Sequence, residues 1–449
     1  MGFSWAPAMK KGLQTLEFSF EADTLTHYGG LFLIQRFCNK LDLRRRLKRH
    51  LLATPHWCEF DPVDLILMLL FLLIAGVQRI HKSDKLQYDG FFLCLLGLER
   101  LPDESSIRRF LKRLSPDAIR QIVRLHDTLR RELFGLPRPR TSLTFYLDSV
   151  VLTLWGKQQG GRLGYNPKAK GRRSYHPILC FEAHGQEFWH GSLRPGDAGS
   201  NTGARFFFKR CLEKVPSHIA RSRLRIMADA GFFSGALIDD LDQAGCAYAI
   251  VCRSYEAYHR MAEQAGFRNL KLGWGVAEFR HRPQRWRNEH RFIAIRRPLP
   301  LDPEEAGQLT LFKDTRYSYS VLVTNLQTNP WKVWNDYLKR SNIERSIREL
   351  LNDLALNKIP TQTWTANVAF FQLLLFAYNL LHWFKRLCLP EELLGKTAET
   401  LRHQMIELPG KLTCSGGKNV LLLPKAYPWQ HAFLKTMSRI QHLRKRSAK

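Results

Sequence analysis

Residues that could act together on a substrate occur in the segment 337–344, which reads YLKRSNIE. At about 100° per residue, a helix through this segment would place Tyr337, Arg340 and Glu344 on one stripe. Arg348 would extend the stripe by another turn. A carboxylate between two arginines suggests a binding or catalytic site, although ion pairs between residues four apart on an exposed helix would use the same side chains. Other carboxylates in the chain must decide between these interpretations.

Two aspartates upstream stand within or at the end of apolar segments. Asp148 is the charged residue of the run 144–152, TFYLDSVVL, and Asp229 ends a second apolar run before a turn that Gly231 permits. A lone charge in a buried strand costs about several kcal/mol unless it is paired or bound to a metal. Alone, each aspartate could be a helix cap or a hydrogen-bonded core group. Together with Glu344, they form a candidate site.

Three carboxylates suit phosphodiester chemistry, in which the attacking and the leaving oxygen both develop negative charge. Two Mg²⁺ ions about 3.5–4 Å apart can stabilise both oxygens, and they require oxygen ligands. We therefore expect Asp148, Asp229 and Glu344 to hold two Mg²⁺ ions, which Mn²⁺ could replace. Arg340 is suited to hold a phosphate through two hydrogen bonds, and Tyr337 could donate another to the same phosphate.

The elements that position these residues follow from the hydrophobic pattern. The predicted series is strands 141–154, 173–183 and 187–193, helix 202–214, strand 224–228, helix 234–244 and strand 247–252. Three strands followed by alternating helices and strands is the element order of a ribonuclease H-like domain. The predicted fold class is therefore α/β, with a ribonuclease H-like mixed sheet core, a helical N-terminal domain and a β-rich insertion.

The predicted domains follow changes in composition along the chain. The linker candidate is LPRPR at 136–140, after a mainly helical region with basic edges. The segments are 1–138, a helical domain whose basic edges suit contact with DNA or form a solvated charged face; 139–254, the first part of the core; 255–328, the β-rich insertion; 329–390, the second part of the core with the helix that carries Glu344; and 391–449, a basic region suited to dimerisation.

The insertion interleaves arginines with aromatic residues, which suits contact with phosphates and stacking on bases. Its predicted DNA-binding residues include Arg285, Arg287, Trp274 and Trp286. An ordinary solvated sheet with cross-strand aromatic pairs is the alternative. For the tryptophans, core packing is the favoured role.

Charge identifies the expected class of partner. The chain of 449 residues has 69 Lys and Arg against 40 acidic residues, a formal net charge of +29, which predicts a polyanion such as double-stranded DNA. The nine cysteines occur singly without a C-x-x-C pair, which argues against a zinc site or a disulfide framework. The apolar segments 65–77 and 366–384 are interpreted as core helices rather than membrane spans. We expect a cytoplasmic protein associated with the nucleoid.

These residues resemble the DDE transposases of bacterial insertion sequences, in the superfamily whose third acidic residue lies in a Tyr-x2-Arg-x3-Glu-x6-Lys helix. The matching segments are 146–149 (YLDS), 228–232 (ADAGF) and 337–344 (YLKRSNIE). The resemblance implies a ribonuclease H-like core interrupted by a β insertion between the second aspartate and the glutamate. It also implies a homodimer that acts on the two transposon ends.

In such enzymes, strand nicking is followed by a hairpin at the transposon end, hairpin opening and insertion into target DNA. The hairpin requires a flipped base that stacks on an aromatic ring, for which Trp274 and Trp286 are candidates.

One position departs from the family pattern. The terminal lysine of the signature aligns with Leu351, while Arg348 lies on nearly the same face of the expected helix. Either Arg348 replaces the missing cation, or DNA contact there is weakened. The alternatives are therefore a catalytically decayed DNA-binding protein derived from a transposase, or a related nuclease.

Overall fold

The computed structural model describes residues 24–52, 59–253, 256–299 and 317–444. The chain divides into two compact units. One comprises Met1–Pro137 and Arg348–Lys449, and the other comprises Arg138–Ile347. The first unit is thus assembled from both ends of the chain, and the second is a continuous segment.

The N-terminal part of the first unit is mainly helical. Its elements are β1 (Leu25–Thr26), α1 (Leu31–Lys40), α2 (Leu43–His50), α3 (Pro62–Ile74), a 3-10 helix (Ile80–Tyr88), α4 (Gly90–Leu96), α5 (Glu104–Arg113) and α6 (Pro116–Leu133). Side-chain caps fix where helices begin: Asp61 accepts from Val63 N, and Asp103 accepts from Ser106 N.

The second unit contains most of the strands. Its elements are β2 (Leu143–Ser149), β3 (Leu152–Thr153), β4 (Arg162–Leu163), β5 (Arg173–Tyr175), β6 (Ile178–Glu182), β7 (Glu187–Ser192), α7 (Ala204–Glu213), β8 (Leu224–Ala228), α8 (Gly235–Gln243), β9 (Ala247–Val251), α9 (Glu256–Ala265), β10 (Arg268–Asn269), β11 (Gly275–His281), β12 (His290–Pro298), β13 (Tyr317–Thr324) and α10 (Pro330–Leu338). Helix α11 (Ser341–Asn352) crosses the boundary between the units.

The described strands of the second unit form a nine-stranded mixed sheet in the order β10-β11-β12-β13-β9-β8-β2-β6-β7, and a small sheet in the order β3-β5-β4. In the large sheet, β8 pairs in parallel with both β2 and β9, and the other neighbours are antiparallel. The central strands are almost wholly buried, as expected for a sheet with both faces covered.

Two of the predicted strands are each divided. The predicted strand 141–154 is β2 in the large sheet and β3 in the small one, and 173–183 is likewise β5 and β6. Pro177 lies between β5 and β6 and has no N–H to donate to a ladder, while its carbonyl accepts from Val150 N. The chain therefore changes sheets at these two points.

The predicted β-rich insertion, 255–328, begins with helix α9 and then extends the large sheet. Strand β13 pairs with β9, with Leu322 opposite Val251, so the later strands share one hydrogen-bonded ladder with the core strands. Helix α9 packs on β11 and β13. The structure thus joins two segments that the sequence analysis had separated.

The C-terminal part of the first unit contains α12 (Trp364–Cys388), α13 (Glu391–Leu394), α14 (Ala398–Leu401), a π-helix (Arg402–Ile406), β14 (Gly410–Ser415), β15 (Lys418–Leu422) and α15 (Gln430–His442). Helices α3, α5 and α6 pack around α12. The sequence analysis had placed α12 with the catalytic core; the structure groups it with the N-terminal helices instead, because its apolar surface is covered there.

Helix α12 is long and apolar enough to cross a membrane by length and composition, but 78% of its most apolar stretch is buried inside the protein. Its polar residues have partners: Asn379 lies 2.8 Å from His126 Nε2, and His382 lies 3.5 Å from Glu349. Burial with satisfied polar groups is the pattern of a core helix, which agrees with the interpretation of 366–384.

Neighbouring side chains of β8 differ in burial, and this difference allows the register of the strand in the sheet to be tested. Ile226 is fully buried, whereas its neighbour Arg225 is exposed. We expect Ile226→Ala to lower the free energy of unfolding by about 2–5 kcal/mol, because it leaves a cavity in a packed core. The matched change Arg225→Ala should lower it by less than about 1 kcal/mol. Urea denaturation measures both, and equal losses would contradict the register of β8.

Candidate active site

The two aspartates lie at the same edge of the large sheet. Strands β2 and β8 are parallel neighbours, and their register pairs Leu147 with Ala228. Asp148 and Asp229 each come directly after this pair. The register of the two strands therefore places both carboxylates side by side at the carboxyl end of the strands. The apolar residues before them anchor the strands in the core.

Local backbone groups use one oxygen of each aspartate. Asp148 Oδ1 accepts from Ser149 N at 2.7 Å, and Asp229 Oδ1 accepts from Gly231 N at 3.0 Å. Asp229 caps a short 3-10 turn formed by residues 230–232. These bonds orient the carboxylates and leave their second oxygens available for a cation.

Arg340 is the cation that lies between two of the predicted carboxylates. Its Nη1 donates to Asp148 Oδ2 at 3.1 Å, and its Nη2 donates to Glu344 Oε1 at 2.7 Å. The Arg340 side chain is nearly buried, whereas that of Glu344 is 52% exposed. The ion pair between residues four apart that the sequence allowed does form, but the same guanidinium also joins Glu344 to the sheet.

The prediction of one helix through 337–344 is wrong. Helix α10 ends at Leu338 and α11 begins at Ser341. Arg340 lies in the turn between them, where its N–H donates to Tyr337 O and its carbonyl accepts from Ile343 N. Each of these hydrogen bonds joins residues three apart in sequence, whereas those of an α-helix join residues four apart. The helix is therefore interrupted at Arg340. The break places Arg340 beside Asp148 while Glu344 stays one turn away.

Burial and crowding of charge alter the protonation of the aspartates. Burial raises the pKa of Asp148 to about 6; Arg340 opposes this rise, and the negative charges of Asp229 and Glu344 add to it. Burial also raises the pKa of Asp229, again against the effect of Arg340. The three carboxylates therefore interact with one another, and Arg340 only partly compensates their charge.

The ring of Tyr337 packs next to the guanidinium group of Arg340. This ring is buried, stacks on Trp334 at 5.9 Å between centroids, and lies 5.8 Å from the Arg340 guanidinium carbon. Burial raises the pKa of the Tyr337 hydroxyl. For Arg340, burial favours a lower pKa, but Tyr337 and Asp148 raise it overall. Arg340 is therefore held as a cation in a fixed orientation.

A hydrogen-bonded chain beside Asp148 was missed by the sequence analysis. His176 Nε2 lies 3.1 Å from Ser149 Oγ, which lies 2.8 Å from Ser200 Oγ. A Cβ at Gly231 would meet Ser200, so Ser200 is also close to the Asp229 turn. Ser149 follows Asp148 directly, but no spacing rule identifies His176 or Ser200. Only the fold brings them together.

The two predicted tryptophans pack within the protein. Trp286 is half-buried against Phe233, with 5.3 Å between ring centroids, and against the backbone of Gly235. Trp274 contacts Trp331 edge to face at 5.6 Å. These contacts match the packing role that the sequence analysis favoured.

The predicted DNA-binding arginines lie at the surface. Arg285 is exposed and has a positive φ of 68°, Arg287 is exposed with its Nε 3.7 Å from Asp239, and Arg348 is exposed on α11. Leu351, at the position of the expected lysine, is partly exposed. None of the hydrogen bonds or ion pairs that join Asp148 to Glu344 involves these residues.

The residues fit a hard divalent cation in type, because carboxylate oxygens are the ligands that Mg²⁺ and Mn²⁺ prefer. Among the described residues, no group of three His, Cys, Asp or Glu side chains is arranged to hold a metal. The Arg340 guanidinium lies between Asp148 and Glu344, and its single positive charge compensates part of the charge of these carboxylates, as a bound cation would.

The chain matches the sequence model of a protein family described as Transposase DDE domain group 1 over residues 9–445. No curated protein sequence matches it. Among solved structures, the chain is similar to one in the cryo-EM structure of the piggyBac transposase synaptic complex with hairpin DNA. The two share 11% sequence identity with a TM-score of 0.44, over 84% of this chain and 79% of that chain.

The raised pKa of Asp148 predicts a pH-dependent gain in stability for Asp148→Asn. An unfolded chain binds this proton with a pKa of about 3.9, so the ionised carboxylate destabilises the folded protein above pH about 6, by at most about 3 kcal/mol. This penalty fades as the pH falls from about 6 to 4. In metal-free buffer, we expect Asp148→Asn to raise the Tm near pH 7.5, with a smaller difference near pH 4.5.

Asp84 provides the control, because it is exposed in the 3-10 helix. Asp84→Asn should change the Tm little at either pH. A constant difference between Asp148→Asn and the wild type across this range would contradict the effect of burial on Asp148.

Proposed function

The chain belongs to the Transposase DDE domain group 1 family, and on that premise we propose that it is a transposase that cleaves and joins DNA with divalent metal ions. Its substrates are the terminal inverted repeats of an insertion sequence. The observation that carries the proposal is the meeting of Asp148, Arg340 and Glu344, next to Asp229 in the parallel register. Burial raises the pKa of both Asp148 and Asp229, and these two carboxylates together with Glu344 form a site that attracts further positive charge.

In this proposal, Asp148, Asp229 and Glu344 hold two Mg²⁺ or Mn²⁺ ions. Bound metal would supply activation of the attacking water or 3′-hydroxyl and stabilisation of the leaving oxygen. Arg340 would then be available to donate two hydrogen bonds to a DNA phosphate in place of its contacts with Asp148 and Glu344. Tyr337 keeps the guanidinium in place beneath that phosphate, and a direct hydrogen bond from its hydroxyl is the alternative role.

The strand order supports a ribonuclease H-like core. Strands β7-β6-β2-β8-β9 are adjacent, so the first core strand lies in the middle and pairs in parallel with the fourth. This arrangement suits the predicted series of three strands followed by alternating helices and strands. The first aspartate then lies on the central strand and the second on its parallel neighbour.

The DNA partner and the course of the reaction belong to the same proposal. The net charge of +29 suits transposon ends and target DNA. We propose a homodimer on DNA, excision through hairpin ends, and a cytoplasmic location at the nucleoid. Exposed Arg285, Arg287 and Arg348 are available to phosphates, whereas Trp274 or Trp286 would have to leave its packing partners to stack on a flipped base.

A decayed, DNA-binding descendant of a transposase is the second candidate. The observation that favours it is Leu351 at the position of the expected lysine, on a helix where Arg348 is the nearby exposed cation. A related nuclease would differ by cutting DNA without joining it and by ignoring the terminal repeats.

Removal of each proposed metal ligand tests the catalytic site. With donor DNA that carries the terminal repeats and Mg²⁺ or Mn²⁺, we expect Asp148→Asn, Asp229→Asn and Glu344→Gln each to reduce cleavage more than about a hundredfold, because each removes a carboxylate ligand. DNA binding in chelator should be retained. Gel analysis of nicked, hairpin and joined products measures the reaction.

Glu349→Gln is a matched control for Glu344→Gln. Glu349 lies on the same helix, but its carboxylate accepts from Ala398 N and pairs with His382. It should alter stability rather than the chemical step. Normal cleavage by any one of the three ligand variants would contradict the proposed set, and binding without cleavage by the wild type would favour the decayed protein.

Arg340 gives a separate prediction, because it competes with metal for Asp148 and Glu344. We expect Arg340→Gln to bind Mn²⁺ about tenfold more tightly, since the carboxylates lose their internal cation, while DNA cleavage falls. Isothermal titration calorimetry and cleavage of the same DNA measure the two effects.

The control is Arg348→Gln, a change of equal charge at an exposed position of α11. It should leave Mn²⁺ affinity within about twofold of the wild type, because the ion pairs of Asp148 and Glu344 are formed with Arg340 and not with Arg348. A thermal melt excludes unfolding of the Arg340 variant. Equal or weaker Mn²⁺ binding by a folded Arg340→Gln protein would contradict the competition.

A further inference from the structure

Between β2 and β6, which pair in the large sheet, the chain forms a separate small sheet next to the candidate active site. Strand β3 begins three residues after Ser149, and β5 ends immediately before His176. His176 Nε2 contacts Ser149 Oγ at 3.1 Å, so the two ends of this segment are joined beside Asp148. We call residues 152–175 the β3–β5 platform.

The platform is held in one conformation by buried polar contacts. Tyr175 is fully buried and its hydroxyl donates to Gln159 O at 2.6 Å. Asn166 is buried, contacts Thr153 Oγ1 at 3.2 Å, and accepts from Ala169 N. A segment with few regular strands is thereby fixed before any ligand binds, which lowers the entropic cost of binding.

The backbone also packs closely where the platform meets the loop after β7. A Cβ at Gly164 would overlap the carbonyl oxygen of Gly196. Glycine is required at this position because any side chain would separate the two segments. The outward orientation of the neighbouring residues is therefore set by the fold.

Aromatic rings project from this rigid base into solvent. Trp155 is 77% exposed and Tyr165 is 74% exposed, with Leu163 exposed between them in sequence. The Arg172 guanidinium lies over the Trp155 ring at 4.9 Å from its centroid. The arginine holds the Trp155 ring in place.

The charge of the platform has one sign. Residues 152–175 contain six cations and no Asp or Glu: Lys157, Arg162, Lys168, Lys170, Arg172 and Arg173. No ion pair joins any of them to a carboxylate in the portion of the chain that the structure describes. Helix α2 differs, because its Arg44 and Arg46 pair with Asp64 and Glu132. The positive charges of these six side chains are therefore not compensated by carboxylates and can pair with the phosphates of a partner.

We propose that the β3–β5 platform binds a DNA segment with unpaired bases, which stack on Trp155 and Tyr165 while the surrounding cations contact the phosphates. Exposed ring faces recognise the faces of bases, which a duplex hides by stacking, and cations that alternate with them follow a backbone. The choice of DNA rests on the proposed function. Because the base of the platform adjoins Asp148, a strand bound here would lie next to the carboxylates.

Fluorescence anisotropy of the full chain with a labelled single strand of about 20 nucleotides, in chelator, tests this binding. We expect Trp155→Ala and Tyr165→Ala each to weaken binding about tenfold, through loss of stacking on one base. Affinity for a blunt duplex of the same sequence should change less than about twofold, because its bases remain stacked. The double change Lys168→Gln/Lys170→Gln should lower the salt-dependence slope by about 1.4.

Matched controls lie elsewhere on the surface. Tyr88 is 78% exposed, and Lys418 and Lys425 are exposed. Tyr88→Ala and Lys418→Gln/Lys425→Gln should bind the single strand as the wild type does. Thermal melts confirm that the platform variants are folded.

Three results would overturn the inference: unchanged single-strand binding by Trp155→Ala and Tyr165→Ala, equal losses for single strand and duplex, or tighter binding of an RNA strand of the same sequence. Since the measurement excludes metal, it is independent of cleavage. Failure to cleave would overturn the proposed enzyme and leave the platform in place.

Discussion

The interaction on which the site depends is the contact of one guanidinium with two carboxylates from different parts of the second unit. Arg340 joins Asp148, at the end of a central strand, to Glu344, at the start of a helix. Without that cation, a buried aspartate beside further negative charge would be strongly unfavourable. The same guanidinium compensates part of the negative charge of both carboxylates, so it orients them as well as stabilises them.

The second constraint is the parallel register of the central strands. Pairing of Leu147 with Ala228 determines that Asp148 and Asp229 leave the sheet together. A shift of one residue in either strand would turn its aspartate to the other face and replace apolar side chains in the core. The buried residues before each aspartate therefore position the carboxylates as well as stabilise the sheet, so core packing and site geometry cannot be varied independently.

The sequence predicted those strands and helices whose bounds follow from the pattern of apolar and polar residues within the segment itself. Strand 224–228 was predicted with the bounds that the structure has, because its apolar residues are interrupted only by outward-facing Arg225. The break at Arg340 was not predictable from helical periodicity, and neither was the contact that it permits between Arg340 and Asp148, 192 residues away in sequence. His176 and Ser200 were missed for the same reason: their partners are distant in sequence. Extension of the sheet beyond β9 is likewise a long-range pairing.

The distribution of arginines shows why composition alone does not locate a nucleic-acid surface. In the predicted insertion, Arg291 is buried and donates to Thr328 O, and Arg296 covers the Phe267 ring. Those cations stabilise the sheet, although their sequence pattern matches that of the platform. What distinguishes the platform is the lack of acidic residues combined with Trp155 held outward on a rigid base. Net charge predicts attraction to DNA, but exposure and pairing decide which cations are available for phosphates.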